Sequence, residues 1–155
     1  LAPTLLNAGI KDNVLPSKAS TVINLRIVPG ESTASATQYV RHMIADPAVT
    51  ILPQAVQLEP SAVSSIDSAS FTVLHKTIRQ TIPTAVVAPA LLIAATDSRH
   101  YRSLTTNIFR FLPVTVGPDD IDRYHGIDER ISVEDYERCI RFYAQLIINS
   151  NAPMR

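Results

Sequence analysis

The chain has 155 residues, of which 46% are hydrophobic and 18% charged, and its 14 Lys and Arg residues balance 14 Asp and Glu residues. This composition predicts a globular protein and excludes a disordered chain or a coiled coil. The chain has no block of like charge, so nucleic acid is not expected as a partner. No apolar run reaches the roughly 18 to 20 residues that span a membrane, so no membrane partner is expected.

The first third of the chain shows the patterns of two strands, a helix and a further strand. Alternating apolar residues predict a strand over residues 21–28, and residues 5–10 are expected to pair with it in antiparallel fashion. Ser32 or Thr33 can cap a helix, which ends at an Asp-Pro pair. Residues 49–58 alternate again and predict another strand.

A linker and a second α/β segment follow. Residues 59–66 are rich in Pro, Ser and Ala without periodicity, which predicts a domain boundary. Asp67 or Ser68 opens a helix, and the apolar run 85–95 predicts a strand that is buried on both faces. Residues 108–116 are predicted to form one more strand.

The last predicted helix begins after residue 132. Ser132 and Asp135 approximate a capping box, the reciprocal pairing of side chains with backbone amides at a helix start. Five apolar residues at helical spacing are expected to form its inner stripe: Val133, Tyr136, Ile140, Tyr143 and Ile147. The single cysteine, Cys139, excludes an intrachain disulfide, and its place in this helix favours a core thiol over a nucleophile.

Two polar segments contain candidate site residues. Asp97 and Arg99 directly follow the predicted strand 85–95, where they could form an ion pair that braces the loop or bind an anion. His125 lies in a loop before the last helix, where it could pin the loop or bind a metal, with Asp128 or Glu129 orienting its ring. No second histidine stands at a zinc-ligand spacing from it.

Three stretches taken together resemble one family: Asn13-Val14-Leu15-Pro16 followed by Val22 to Ile27 and Pro29-Gly30; Thr96-Asp97-Ser98-Arg99-His100-Tyr101; and His125 to Ser132. In this order they are similar to the C-terminal half of the aminoacylase and carboxypeptidase S group of two-zinc metallopeptidases, close to the N-acyl-amino-acid hydrolases and to Gly-Xaa carboxypeptidases. The resemblance implies an α+β fold in two parts. Residues 1–58 would be the second half of an inserted lid or dimerisation domain, and residues 67–155 the last part of the α/β catalytic domain.

The resemblance also implies roles for residues that are unremarkable on their own. Arg26, by its pattern an exposed strand residue, matches the lid arginine that binds the substrate's free carboxylate, and Asn13, by default a turn former, matches the lid asparagine of the same site. Asp97 and Arg99 match the loop beside substrate and metals. His125 matches the family's last zinc ligand.

The other zinc ligands and the general base of this family have no match in the chain. The resemblance therefore implies a fragment that is inactive alone and that needs the missing N-terminal half to hold two zinc ions, or cobalt or manganese. The implied substrate is an N-acyl amino acid or small peptide, and the lid implies a homodimer. A cytoplasmic location is slightly favoured, and a secreted or periplasmic one stays open. Two alternatives remain: a non-catalytic module that dimerises or binds a small carboxylate, and a cysteine hydrolase using Cys139 with His125.

Overall fold

The computed structural model describes residues 1–54, 57–92 and 94–151, and it shows a mixed α and β chain. The chain divides into two compact units, Leu1–Val63 and Ser64–Arg155. This division falls inside residues 59–66, where the composition predicts a linker. The assignment of the two units to a lid and a catalytic domain stays a prediction.

An antiparallel hairpin begins the first unit. Strand β1 (Ala2–Ala8) pairs with β2 (Ala19–Asn24) in a register that runs from Ala2 opposite Asn24 to Ala8 opposite Ala19. Thr21 adds a side-chain bond, its hydroxyl donating to the Leu5 carbonyl over 2.8 Å. The predicted antiparallel pairing is confirmed, but β1 ends at Ala8 and β2 at Asn24, so the predicted strands 5–10 and 21–28 are both wrong in their last residues.

Helix α1 (Thr33–Ile44) completes the regular structure described in this unit. Ser32 caps it, because the Ser32 hydroxyl accepts from the Ser35 amide at 3.1 Å while the Ser35 hydroxyl accepts from the Ser32 amide at 2.9 Å. The Glu59 carboxylate accepts from the Thr33 amide at 3.1 Å. A carboxylate at this end stabilises a helix, since the unpaired amides there carry partial positive charge.

Two packed helices form the centre of the second unit. Helix α2 (Ala69–Thr81) starts at the predicted cap Ser68, and α3 is Val133–Asn151. Between them Asn149 Nδ2 donates to Thr77 Oγ1 at 2.9 Å and to Gln80 Oε1 at 2.8 Å. Thr77 is fully buried, so this pairing satisfies a polar group that water cannot reach.

The segment 108–116 contacts both helices with alternate side chains. Phe109 stacks on Phe71 of α2 at a ring-centre distance of 5.4 Å, and Phe111 stacks on Phe142 of α3 at 5.1 Å. Phe142 is only 1% exposed. Phe109 and Phe111 therefore contact the helices as alternate residues of a strand would, although the backbone of the segment is not a strand.

Three predicted strands, 49–58, 85–95 and 108–116, are wrong for the described residues. Within the described ranges the only sheet pairs β1 with β2, and the described parts of these three segments are irregular. Positions 55, 56 and 93 lie outside the described residues. A strand forms only beside another strand that pairs with its backbone groups, and the described residues supply no such strand to these segments. Val86 is 92% exposed, so burial of the 85–95 run on both faces is also wrong.

The predicted inner stripe of α3 is wrong as well. Val133, Tyr136, Ile140, Tyr143 and Ile147 are all exposed, by 44% to 76%. The buried residues of α3 are Asp135, Phe142 and Asn149, which recur every seven residues on a different face. The helix carries two faces that can be buried, and α2 with the 108–116 segment packs against only one. No helix in the described ranges is both long and apolar enough to cross a membrane.

Candidate active site

The polar segment after residue 95 is a short helical turn rather than an open loop. Residues Asp97–Tyr101 form a 3₁₀ helix that Thr96 caps, its hydroxyl accepting from the Ser98 amide at 3.3 Å. Asp97 and Arg99 are exposed, and among the described residues no ion pair joins them. Arg99 instead donates from Nε to His100 Nε2 at 3.2 Å. The structure thus leaves the Asp97 carboxylate and most of the Arg99 guanidinium on the surface of the turn.

A second arginine, Arg110, holds this turn from the 108–116 segment. Arg110 Nε donates to Ser98 Oγ at 2.8 Å and to Thr96 Oγ1 at 3.1 Å. Sequence reasoning missed Arg110. A signal was available, because Arg110 is the one charged residue in the apolar run 108–116 and alternates with Phe109 and Phe111.

His125 is presented by a tight turn. A 3₁₀ helix, Pro118–Arg123, precedes it, and the Gly126 amide closes the turn by donating to the Arg123 carbonyl at 2.9 Å. His125 has a left-handed backbone, with φ of 60°, and an exposed side chain. Such a backbone is uncommon outside glycine, and here the hydrogen bonds on both sides of the residue maintain it.

Two carboxylates near His125 in the chain, Asp120 and Asp128, pair with arginines. Asp120 pairs with Arg123 at 2.7 Å and accepts from the Gly117 amide at 2.8 Å. Asp128 pairs with Arg130 at 2.8 Å. In the part of the chain that is described, no group of three or more His, Cys, Asp or Glu side chains could hold a metal ion. An exposed imidazole fits the role of one zinc ligand, and a catalytic zinc ion usually has about three protein ligands.

The other two candidates lie in the first unit. Arg26 is exposed, two residues beyond the end of β2. Asn13 is exposed in the loop between β1 and β2, where residues 8–9 and 11–16 line an open surface depression. Each unit therefore presents its candidates at its surface: Asn13 and Arg26 in one, Asp97, Arg99 and His125 in the other.

Residues 3–149 match the family described as peptidase family M20/M25/M40. The chain belongs to this family. It is 46% identical over 149 residues to "Probable carboxypeptidase S-like 2" of Dictyostelium discoideum and 39% identical over 151 residues to "N-fatty-acyl-amino acid synthase/hydrolase PM20D1" of Xenopus tropicalis. These alignments cover 96% and 97% of the chain but 29% of each relative, so the chain spans less than a third of their length. No solved structure matches.

This member of the M20/M25/M40 family also contains a partly buried ionic cluster at the start of α3 that sequence reasoning missed. The Asp135 carboxylate accepts from the Thr115 amide at 3.3 Å and pairs with Arg138, which in turn donates to Thr115 Oγ1 at 3.1 Å. The Ser132 hydroxyl, followed by the Thr115 amide and Arg138, holds the pKa of Asp135 below its usual value despite the opposing effect of burial. The cluster fixes the end of the 108–116 segment to the helix that follows the His125 turn.

Proposed function

We propose that these 155 residues are the C-terminal part of a metal-dependent hydrolase that cleaves the amide bond of N-acyl amino acids or of small peptides with a free carboxylate. The match to the peptidase family over residues 3–149 is the observation that carries this proposal. The names of the two relatives, a carboxypeptidase and an N-fatty-acyl-amino acid hydrolase, support the substrate class. Both substrate types present an amide next to a carboxylate.

In this proposal His125 contributes one imidazole nitrogen to a site for two zinc ions, with cobalt or manganese as substitutes. Its exposure on a turn closed by Gly126 supports that role, because the ring can reach a ligand without rearranging the backbone. When bound, the metals supply Lewis-acid activation of water and of the amide carbonyl. The remaining ligands and the general base belong to the rest of the longer protein, so the 155 residues alone are expected to be inactive.

Arg26 and Asn13 bind the substrate in the same proposal. A guanidinium offers a planar pair of donors that fits a carboxylate, and the exposed Arg26 leaves that pair accessible. Asn13 adds an amide, and Asp97 and Arg99 present polar groups from the second unit. Residues 1–58 act as part of a lid that closes over the substrate, excludes water and mediates a homodimer.

The metal role of His125 is tested in the full-length protein by His125→Ala, with zinc content and hydrolysis of an N-acyl amino acid as readouts. His42→Ala is the matched control, because His42 is an exposed histidine on α1. We expect His125→Ala to lose zinc and most activity while the control keeps both. Wild-type zinc content and turnover in His125→Ala would remove this residue from the metal site.

The role of Arg26 is tested separately by comparing a substrate that has a free carboxylate with its amidated form. Arg26→Ala should reduce kcat/KM for the free carboxylate far more than for the amide, since only the carboxylate pairs with the guanidinium. Arg41→Ala, an exposed arginine on α1, should change neither. Equal losses on both substrates would reject a carboxylate contact. A non-catalytic module predicts no hydrolysis of either substrate by the wild-type protein.

A further inference from the structure

The guanidinium of Arg110 connects the 108–116 segment to the 3₁₀ turn, whose contacted residues lie 12 and 14 positions earlier in the chain. It stands in the 108–116 segment, whose neighbouring rings Phe109 and Phe111 pack on α2 and α3. From this anchored position its Nε donates to both hydroxyls of the 3₁₀ turn, Ser98 Oγ and Thr96 Oγ1. The two packed rings thus determine where the donor lies.

Those two hydroxyls also begin the 3₁₀ helix. Thr96 Oγ1 accepts from the Ser98 amide, and the Thr96 carbonyl accepts from the Arg99 amide at 3.3 Å. The hydroxyls of Thr96 and Ser98 contact each other as well. With only one proton on each hydroxyl, an added donor from Arg110 satisfies lone pairs that the turn itself leaves open.

Asp97 and Arg99 alternate with the two hydroxyl residues, so the orientation of the cap sets the direction of both side chains. A helix of five residues has little intrinsic stability, because few of its backbone groups are paired. Its geometry therefore depends on contacts with its surroundings, and Arg110 supplies two of them.

We propose that Arg110 is a positioning residue, which holds the Thr96–Ser98 cap so that Asp97 and Arg99 face the substrate. This inference rests on the proposed function, in which Asp97 and Arg99 lie beside the substrate. Arg110 acts through the hydroxyls and does not itself contact the substrate. Removal of the two hydroxyls should then have at least the effect of removing Arg110, and adding Arg110→Ala to the hydroxyl pair should change little.

The test is a double-mutant cycle in the full-length protein, with Arg110→Ala, the pair Thr96→Val and Ser98→Ala, and all three together. We expect a loss in kcat/KM of about tenfold or more for Arg110→Ala, since small misplacements of binding groups are costly. The hydroxyl pair should lose at least as much, because Thr96 Oγ1 also caps the turn, and the triple variant should lose no more than about twofold beyond the hydroxyl pair. Arg141→Ala is the control, because Arg141 is an exposed arginine of α3 paired with Glu137 at 3.6 Å.

A thermal melt and hydrogen exchange of the amides of residues 96–101 accompany the kinetics. Arg110→Ala should leave Tm within about 2 °C of wild type and speed exchange in the turn, since the opening is local. Losses that multiply across the cycle, activity equal to that of Arg141→Ala, or a fall in Tm that parallels the loss of activity would overturn the proposal. If the wild-type protein hydrolyses none of the substrates, the proposed function fails, and exchange in the turn then decides: unchanged exchange in Arg110→Ala overturns the inference.

Discussion

Gly126 should be essential for the presentation of His125, for a steric reason. A Cβ added at Gly126 would lie 2.7 Å from the Asp122 carbonyl oxygen and 3.4 Å from that of Arg123. The first distance is about 0.7 Å short of the 3.4 Å at which ordinary van der Waals contact begins, and a backbone oxygen cannot relieve it by changing rotamer. Gly126→Ala must therefore move the backbone of the turn, including the adjacent His125.

We expect this displacement to cost about 1 to 3 kcal/mol of local stability, the usual range for overpacking. Its effect on catalysis should be larger, since a misplacement near 1 Å can reduce the rate by about a hundredfold. In the full-length protein Gly126→Ala is therefore expected to lower zinc occupancy and to reduce hydrolysis of an N-acyl amino acid by one to two orders of magnitude. Zinc content, steady-state kinetics and a thermal melt measure the three quantities.

Gly117→Ala is the matched control at the other end of the same 3₁₀ helix. A Cβ there would meet only Asp120 Oδ2 at 3.4 Å, and the backbone φ of −90° suits alanine. The control should keep its activity and zinc. The reasoning is refuted if Gly126→Ala binds zinc and turns over like wild type, or if both alanine variants lose activity to the same extent.

Three further predictions concern the second unit. Phe142→Ala should destabilise the α2–α3 pair by about 3 to 5 kcal/mol, because it removes a side chain that is only 1% exposed and leaves a cavity. Chemical denaturation measures the change in the free energy of unfolding. A loss below about 1 kcal/mol would show that other residues form the core. Asn149→Leu should destabilise the fold by about 1 to 3 kcal/mol, because it leaves the buried Thr77 hydroxyl and Gln80 Oε1 without their donor. Thr77→Val in the double variant should recover the part of that loss that comes from the Thr77 hydroxyl; chemical denaturation measures both, and additive losses would contradict this. The pKa of Asp135 is lower in the folded chain than in the unfolded chain, where it is about 4. Ionised Asp135 therefore stabilises the fold at pH values above the unfolded pKa, and this stabilisation is lost as the pH falls through the lower folded pKa. Asp135→Asn should flatten that part of the acid dependence in a series of melts from pH 6 to about 2, and an unchanged dependence would assign it to other groups.

The three α-helices could be predicted from the sequence because their signals are local. Ser32, Ser68 and Ser132 each provide an oxygen to an amide of the first turn, at 3.1, 3.2 and 3.0 Å. A cap requires only residues that are neighbours in the chain, so its contribution does not depend on the rest of the fold.

The candidate site could be predicted only in part. The motifs pointed to Asp97, Arg99 and His125, and the structure places all three on exposed turns. The sequence motifs did not point to the role of Arg110 or to the contact of Asp135 with Thr115, because these bonds join residues 12 to 20 positions apart. No local pattern encodes which backbone amide or hydroxyl such a side chain will reach.

By itself the amino-acid sequence determined the helix starts and the antiparallel hairpin, because caps and alternation are properties of residues close together in the chain. It also determined membership of the peptidase family, because the order of the motifs along the chain does not depend on the fold. Tertiary structure alone decided which face of α3 is buried and whether the apolar segments 49–58, 85–95 and 108–116 become strands. Helix α3 has apolar residues on two faces, and contact with Phe111 buries Phe142 while Ile140 stays exposed. Strands need a second strand to pair their backbone groups, and that requirement is met or left unmet only in three dimensions.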